Sequence, residues 1–335
     1  MTRAQDTVLI LTHSADEFVV ERVASAVSKR GARALRFDTD LFPSEVRLSS
    51  RFDGAQETAT LHSHEFELSL DLVRAVWARK VWLPKLSEGL DARVREGCVR
   101  ESAAALRSFL SALDERRVRW VNGVQQTMAG EDKLRQLRVA SKLGLRTPRT
   151  LVSNDPEAVR AFRADIGPMI AKMLTPLSIS MGGSAFFMHT NLVRDEDLEQ
   201  LDGLRMSPMV FQEHVEKRCE LRIACVGDRA FVGRIDASRS EKGQVDWRRS
   251  RPDEVDWTRG EIPSDVAEKL AALLRELDLV YGAVDVIVTP EGEHVFLEIN
   301  PSGEWGMLER DLDLPIADAI ASELMRAPSQ RAQAS

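Results

Sequence analysis

The first 125 residues alternate short apolar runs with amphipathic stretches of helical period. The apolar runs predict strands at 7–11, 34–37, 73–77 and 118–121. The capping-box sequence from Ser14 to Glu17 predicts the start of a helix that ends at Gly31, and residues 91–114 predict a longer helix. Because strands alternate with helices, this pattern predicts a small α/β domain over residues 1–125.

From residue 126 onwards, antiparallel hairpins become frequent. Helices are predicted from 131 to Gly144, after the N-cap Asp155 with Pro156 at the first helical position, and from Ser264. Strands are predicted at 168–174, 185–188, 209–213, 220–226, 230–237, 283–289 and 294–300. This second part of the chain therefore predicts an α+β domain.

The last hairpin carries the most specific chemical pattern. If its turn is centred on Glu291-Gly292, counting back along both strands brings Asp285 opposite Glu298, with Asn300 on the same face. Two carboxylates about 5 Å apart repel each other by about 3 kcal/mol at an effective dielectric near 20, so a cation would be expected between them. Three hard oxygen donors favour Mg²⁺ over Zn²⁺. The alternative is that this strand faces solvent and both acids are ordinary surface residues.

Candidate phosphate-binding groups lie upstream of that hairpin. Lys172 alternates with apolar residues in its strand, and the segment 178–184 contains Gly182-Gly183, which lets backbone N–H groups approach phosphate oxygens. Arg222 and Arg234 alternate with apolar residues in neighbouring strands, where inward guanidinium groups would suit a phosphate or carboxylate. The alternatives are a solvent-facing lysine, a plain hairpin turn and structural ion pairs for the two arginines.

Composition excludes several other classes of protein. The 335 residues are 43% hydrophobic and 30% charged, which is typical of a folded protein of about two domains. The net charge of −7 argues against nucleic acid as the main partner, and no apolar stretch is long enough to cross a membrane. An odd number of cysteines without metal-site spacing and the lack of a secretory signal predict a cytoplasmic location. The six histidines form no metal-spaced or triad-like cluster.

Taken in chain order, these features resemble the ATP-grasp superfamily over the whole chain. The resemblance is carried by Lys133, Ile170-Ala171-Lys172-Met173, Gly182-Gly183, residues 211–215, Glu220-Leu221-Arg222, Arg234, Asp285 and Glu298-Ile299-Asn300. It implies an α+β ATP-grasp fold with a pre-ATP-grasp domain at 1–125, a central lobe at 126–210, a C-terminal lobe at 211–326 and a flexible tail at 327–335.

The same resemblance implies ATP and Mg²⁺ as cofactors and a role for each site residue. Lys133 and Lys172 would contact the phosphates, and Lys172 would also act in catalysis. The loop with Gly182, Gly183 and Ser184 would cover the phosphates. Gln212, Glu213 and Val215 would bind adenine, and Glu220 would bind ribose. Asp285, Glu298 and Asn300 would hold Mg²⁺, while Arg222 and Arg234 would face the γ-phosphate and the carboxylate that is activated.

A narrower resemblance is to the graspetide, or microviridin-type, peptide macrocyclases. It rests on Arg36-Phe37-Asp38-Thr39-Asp40, Ala75-Val76-Trp77, Trp120-Val121-Asn122, the segment 143–148, Ile235-Asp236 and the segment 245–248. It implies joining an Asp or Glu side chain of a ribosomally made precursor peptide to a Thr or Ser hydroxyl or to a Lys amine. The sequence is similar to the ester-forming branch that makes plesiocin-like peptides, which implies the hydroxyl as acceptor. It also implies recognition of a helical leader by the central domain, and a homodimer.

Two other functions stay open at the sequence level. One is an ATP-grasp ligase that adds a free amino acid, such as glutamate, to a protein or small molecule through an amide bond. The other is a nucleotide-binding regulatory protein that keeps the fold without the reaction. The metal set of Asp285, Glu298 and Asn300 argues against the second, because a binding module has no need of it.

Overall fold

The computed structural model describes residues 6–54, 56–87, 89–175, 190–236 and 256–326. Its strands are β1 (Thr7–Thr12), β2 (Arg33–Asp38), β3 (Arg47–Asp53), β4 (Gln56–His62), β5 (Glu67–Ser69), β6 (Val73–Ala78), β7 (Arg119–Val121), β8 (Thr150–Ser153), β9 (Met169–Lys172), β10 (Asn191–Leu192), β11 (Met209–Glu213), β12 (Cys219–Val226), β13 (Arg229–Ile235), β14 (Trp257–Arg259), β15 (Tyr281–Val288) and β16 (His294–Asn300). Its helices are α1 (Phe18–Lys29), α2 (Ala92–Glu115), α3 (Val124–Gly130), α4 (Lys133–Lys142), α5 (Pro156–Ile166), α6 (Asp195–Glu199), α7 (Ser264–Glu276), α8 (Gly306–Leu312) and α9 (Ile316–Met325).

The N-terminal domain contains a parallel sheet in the order β2-β1-β6-β7, as the alternation of strands and helices predicts. The small antiparallel sheet β3-β4-β5 was not predicted, because most side chains of β3 are exposed and give no apolar alternation. The predicted capping box is wrong. Ser14 bonds to Asp40 through both its N–H and its hydroxyl, and α1 begins only at Phe18.

The C-terminal sheet has the order β14-β13-β12-β15-β16 and is antiparallel throughout. One face packs on α7 and α4 through a buried cluster that includes Leu221, Ile223 and Leu270. On the other face, one end of the sheet packs against the N-terminal domain. Ala224, Phe231 and Tyr281 share a single core there with apolar residues of α1 and α9. The rest of that second face carries the polar residues of the candidate site.

The central sheet has the order β10-β9-β11-β8 among the described residues, and α5 covers one of its faces. Asp155 caps α5 and Pro156 is its first residue, as the sequence predicts. β11 runs from Met209 to Glu213 and pairs with β8 and β9, so it crosses the predicted boundary between residues 210 and 211. The predicted strand at 185–188 lies outside the described residues.

Helix α4 belongs to the predicted central lobe but packs on the C-terminal sheet. Gln136 donates its amide N–H to the carbonyl oxygen of Ile299 at 2.8 Å and accepts the N–H of Ile299 at 3.0 Å. These bonds satisfy the outer edge of β16, the last strand of the sheet. The packing brings Lys133, at the first position of α4, to the polar face of the sheet.

Within the part of the chain that the structure describes, no helix is both long enough and apolar enough to span a bilayer.

Candidate active site

The hairpin of β15 and β16 places Asp285 directly opposite Glu298, as predicted. The predicted turn register is wrong by one residue, since Val288 rather than Thr289 pairs with His294. A β-bulge restores the alignment: Val286 pairs with Phe296 and Asp285 with Glu298, so that Leu297 is an extra residue between them. Both acids are buried, with exposed fractions of 5% and 9%, which excludes the solvent-facing alternative.

Arg222 extends this pair into a row across three neighbouring strands. It lies opposite Asp285 in the pairing of β12 with β15, and its Nη1 donates to Asp285 Oδ1 at 2.8 Å. Its Nε and Nη2 donate to the backbone carbonyl oxygen of Glu304 at 3.2 and 3.1 Å. All three nitrogens of the buried guanidinium group therefore have fixed partners, and its plane is defined by two separate anchors.

Two lysines from other elements converge on Glu298. Lys133 Nζ, from the start of α4, lies 2.5 Å from Glu298 Oε2, and Lys172 Nζ, at the end of β9, lies 3.7 Å from the same oxygen. The central lobe and the C-terminal lobe thus meet at this carboxylate. With Arg222, the described cluster holds three cations beside two carboxylates.

Asn300 completes the predicted donor set. Its side-chain nitrogen lies 3.4 Å from Glu298 Oε1, so the amide and both carboxylates share one face of the hairpin. Hard oxygen donors of this kind fit Mg²⁺, which takes few protein ligands and keeps waters or phosphate oxygens in its other positions. Among the described residues there is no group of three or more His, Cys, Asp and Glu side chains placed to hold a metal ion.

Of the residues predicted to bind the nucleoside, Val215 lies beside this row, whereas Gln212 and Glu213 belong to β11 of the central sheet. Gln212 is buried and donates to Thr150 Oγ1 at 2.9 Å, while the backbone N–H of Glu213 donates to the carbonyl oxygen of Arg149 at 2.9 Å. Since this N–H group is engaged within the sheet, an adenine contact at Glu213 would have to use another group. Val215 packs with Ile287, Val295 and Leu297 in a small apolar cluster beside the carboxylates.

Glu220 is buried two residues from Arg222 on the same face of β12 and pairs with Lys217 Nζ at 2.5 Å. Lys217 was not predicted as part of the site. Its signal in the sequence is weak: Lys217 lies three residues before Glu220, but between Glu216 and Arg218 in a charged stretch before the strand. Glu220 lies opposite Ile287, and these two residues form the row beside that of Arg222, Asp285 and Glu298.

The structure does not bring Arg234 into the cluster. Arg222 pairs with Gly233, whereas Arg234 pairs with Leu221, whose side chain lies in the core on the opposite face of the sheet. Arg234 is exposed there, so the prediction that both guanidinium groups point inward is wrong for Arg234. Gly182, Gly183 and Ser184 of the predicted phosphate loop, and the motif at 245–248, lie outside the described residues.

Two family descriptions match the chain. "MvdD pre-ATP grasp domain" matches residues 7–128, and "RimK-like ATP-grasp domain" matches residues 130–324. No curated protein matches the chain.

Solved structures of peptide macrocyclases resemble it over almost the full length. Macrocyclase MdnB from Microcystis aeruginosa MRC is 41% identical, with a TM-score of 0.81, and the match covers 96% of this chain and 100% of that one. Macrocyclase MdnC from the same organism, bound with precursor peptide MdnA, is 35% identical, with a TM-score of 0.85 and the same two coverages.

A third solved structure is the Chryseobacterium gregarium RiPP-associated ATP-grasp ligase in complex with ADP and a leader and core peptide. It is 34% identical, with a TM-score of 0.89 and 96% coverage of both chains. These matches agree with the geometry of the site and with the pairing of a pre-ATP-grasp domain with an ATP-grasp domain. The chain therefore belongs to the graspetide macrocyclase family of ATP-grasp ligases.

Proposed function

We propose that this protein is an ATP-dependent macrocyclase of a ribosomally made precursor peptide. It joins Asp or Glu side chains of the core peptide to Thr or Ser hydroxyls and so closes ω-ester rings. The observation that carries the proposal is the buried row of Arg222, Asp285 and Glu298, on which Lys133 and Lys172 converge. Two relatives at 34–35% identity, whose structures contain a precursor peptide or a leader and core peptide, support the choice of substrate.

The proposed reaction has two steps. A carboxylate oxygen of the core peptide attacks the γ-phosphorus of ATP, ADP leaves, and an acyl-phosphate forms. A hydroxyl oxygen of the same peptide then attacks the acyl carbon, the C–O bond to phosphate breaks, and the hydroxyl proton leaves with the phosphate. Each ring therefore uses one ATP, releases ADP and phosphate, and lowers the peptide mass by one water.

The protein contributes positioning and charge to these steps. We assign Lys133 and Lys172 to the phosphates, and Arg222 to the transferring group and the carboxylate it meets. Mg²⁺, held by Asp285, Glu298 and Asn300, would neutralise phosphate charge when bound. In this structure Lys133, Lys172 and Arg222 pair with the two carboxylates. When ATP and the metal bind, these cations would pair with the phosphates instead, and the carboxylates would pair with the metal.

The buried apolar cluster of Val215, Ile287 and Val295, with the partly buried Leu297 packed against it, lies one row from the carboxylates, and we assign this region to the adenine ring. We assign Glu220, which lies opposite Ile287, to the ribose hydroxyls. Lys217, at 2.5 Å from Glu220, would hold that carboxylate in position. The nucleoside and phosphate halves of ATP would thus lie along one face of the C-terminal sheet.

The test is incubation with ATP, Mg²⁺ and a precursor that carries its leader, followed by mass spectrometry. Macrocyclisation predicts ADP release that depends on the precursor and a product lighter by whole waters. Hydroxylamine treatment would open ester rings and leave amide rings intact. Turnover of ATP on the precursor with no loss of water would overturn the proposal.

The second candidate, an amino-acid ligase, predicts a product heavier by one residue and a need for free amino acid. The same spectra distinguish it, because macrocyclisation lowers the mass and ligation raises it. The homodimer implied by the family resemblance is a separate prediction, which light scattering after size-exclusion chromatography checks.

A further inference from the structure

The five residues after β16 form a loop, residues 301–305, whose backbone lies against the active-site arginine. At Gly303 an added Cβ atom would lie 2.5 Å from Ala283 Cβ and 2.8 Å from Arg222 Nη2. No side chain fits at this position unless Arg222 or the sheet moves. The hydroxyl of Tyr281 also donates to the carbonyl oxygen of Gly303 at 2.8 Å. The 301–305 loop is therefore packed closely against the row that carries the chemistry.

This loop supplies one of the two anchors of Arg222. The Glu304 carbonyl oxygen accepts bonds from Nε and Nη2, while Asp285 accepts the bond from Nη1. A guanidinium group is planar, so two anchors on different edges define its orientation. If the Glu304 carbonyl group moved, Arg222 would keep only its bond to Asp285 and could rotate about it.

The loop is held in turn by an arginine of the N-terminal domain. Arg79 directly follows β6 and is almost completely buried, with 1% of its surface exposed. Its Nη1 donates to the carbonyl oxygens of Ser302 at 2.5 Å and Gly303 at 3.2 Å. Its Nη2 lies 2.7 Å from Glu304 Oε2, and Lys80 also contacts the Glu304 carboxylate. Arg79 thus contacts three consecutive residues of the loop.

The other partner of Arg79 lies within its own domain. Arg79 Nε is 3.5 Å from Asp16 Oδ2, and Asp16 accepts a hydrogen bond from the Thr12 hydroxyl at 2.7 Å. One edge of the Arg79 guanidinium group therefore faces the N-terminal domain, and its other edge faces the 301–305 loop. Arg79 therefore links the N-terminal domain to the backbone of the 301–305 loop, so the position of the loop depends on the position of that domain.

We propose that Arg79 is a positioning residue for Arg222, which it orients through the backbone of residues 302–304. This inference rests on the proposed function, because Arg222 is the group assigned there to the transferring phosphate. Arg79 itself touches neither the carboxylate pair nor the lysines. Its effect belongs to the chemical step, and nucleotide and precursor binding use other residues.

The central experiment compares steady-state kinetics of the wild-type protein with those of Arg79→Met. Loss of the anchor should lower kcat by about 100-fold, the size of effect that a small misplacement of a catalytic group produces. The KM for ATP and the Kd for the precursor should stay at the wild-type values. Arg79→Lys, which restores the charge without the two-edged geometry, should recover part of kcat.

Arg119→Met is the matched control. Arg119 also joins the N-terminal domain to the C-terminal part of the chain through a largely buried ion pair, with its Nη2 2.8 Å from Glu323 Oε2. It makes no contact with the 301–305 loop among its described bonds. Wild-type kcat in Arg119→Met and low kcat in Arg79→Met support the proposal. Equal kcat losses in both variants, or no loss in Arg79→Met, overturn it.

Two further measurements keep the test decisive. If Arg79→Met does not fold, Glu304→Gln takes its place, because that side chain is half exposed and the substitution keeps the main-chain carbonyl group. It should lower kcat by less than Arg79→Met and leave binding unchanged, because Arg79 Nη1 keeps its bonds to Ser302 and Gly303. A wild-type kcat in Glu304→Gln overturns the proposal. The Nε–H signal of Arg222 in a ¹⁵N–¹H spectrum, assigned by its loss in Arg222→Lys, reports the orientation without turnover. It should shift in Arg79→Met and stay in place in Arg119→Met, even if the wild-type protein fails to cyclise a peptide. An unmoved signal overturns the proposal independently of the reaction.

Discussion

Asp285 is the residue at which charge and shape can be separated most cleanly. Replacing it with Asn keeps the size of the side chain and an acceptor for Arg222 but removes the negative charge that a metal requires. We expect Asp285→Asn to lower precursor-dependent ADP release by at least about 100-fold while precursor affinity is unchanged. A coupled ADP assay and the fluorescence anisotropy of a labelled precursor measure the two quantities.

The control for that variant is Asp265→Asn, which removes an exposed carboxylate from α7 that pairs with Lys269. It should be fully active. Full activity of Asp285→Asn would contradict the assignment of this carboxylate to the metal.

Three histidines make the stability of the protein depend on pH. Burial is the largest cause that lowers the pKa of His13, His214 and His294 below the ordinary value. The folded state therefore binds fewer protons than the unfolded state near pH 6.5, and stability falls as the pH falls through this value. We expect Tm to decrease between about pH 7.5 and pH 5.5.

Replacing His214 and His294 together by Asn should make this decrease in Tm smaller. His64→Asn, at an exposed position, should leave it as in the wild type. Scanning calorimetry at both pH values measures the effect. An equal decrease in the double variant and the wild type would show that these two histidines do not cause it.

At the same scale, the sequence correctly predicted the inward position of Arg222 and the pairing of Asp285 with Glu298, but it misplaced Arg234. Asp285 and Glu298 could be paired because a short turn lies between their strands. The same counting, applied to the turn at Gly227-Asp228, places Gly233 opposite Arg222 and so assigns Arg234 to the other face. Alternation with apolar residues alone does not identify the face, because both faces of this sheet are buried over much of its area.

At the scale of elements, α4 determines where Lys133 lies. Gln136 anchors this helix to both backbone groups of Ile299 at the edge of β16. We expect Gln136→Leu to leave the two groups buried without partners, at a cost of about 1–3 kcal/mol for each. Thermal unfolding should show a Tm lower by several degrees.

Lys142→Leu, at an exposed position in the last turn of α4, serves as the control and should leave Tm close to the wild-type value. If Gln136→Leu had the same Tm as this control, other groups would have to form the hydrogen bonds with the N–H and carbonyl groups of Ile299 at the edge of β16.

The sequence predicted that α4 exists and where it ends, because its apolar period and Gly144 are local signals. It did not predict that α4 packs on β16, where Gln136 bonds to a residue 163 positions later in the chain, since the pattern of a helix does not identify its packing partner. For the same reason, the predicted boundary between residues 210 and 211 falls inside β11. Local patterns delimit elements, whereas the grouping of elements into lobes depends on long-range contacts.

For the whole molecule, the N-terminal domain and the C-terminal lobe form one continuous core. Asn122, at the end of β7, bonds to the backbone of Val280, Tyr281 and Pro301 through four hydrogen bonds of 2.8–3.0 Å. Asn122→Leu would leave these buried groups without partners, and we expect it to destabilise the protein by about 3 kcal/mol or more. Urea unfolding followed by tryptophan fluorescence measures the change.

Asn154→Leu, at an exposed position, is the control and should keep the wild-type midpoint. Equal midpoints for the two variants would mean that the interface does not depend on Asn122. The motif Trp120-Val121-Asn122, which contributes to the family resemblance, thus has a structural role at the interface.

The bulge at Leu297 allows two adjacent residues of one strand to serve the same face, which strict alternation forbids. Leu297 contributes to the apolar surface beside Val215 and Ile287, and Glu298 contributes a carboxylate. Under the proposed function, Leu297 would contact the base and Glu298 would bind the cation, so base preference and metal affinity would depend on neighbouring residues that can vary separately. Substitutions at Leu297 offer a route to altered nucleotide selectivity, such as ATP against GTP, in which the ligands of the cation stay unchanged.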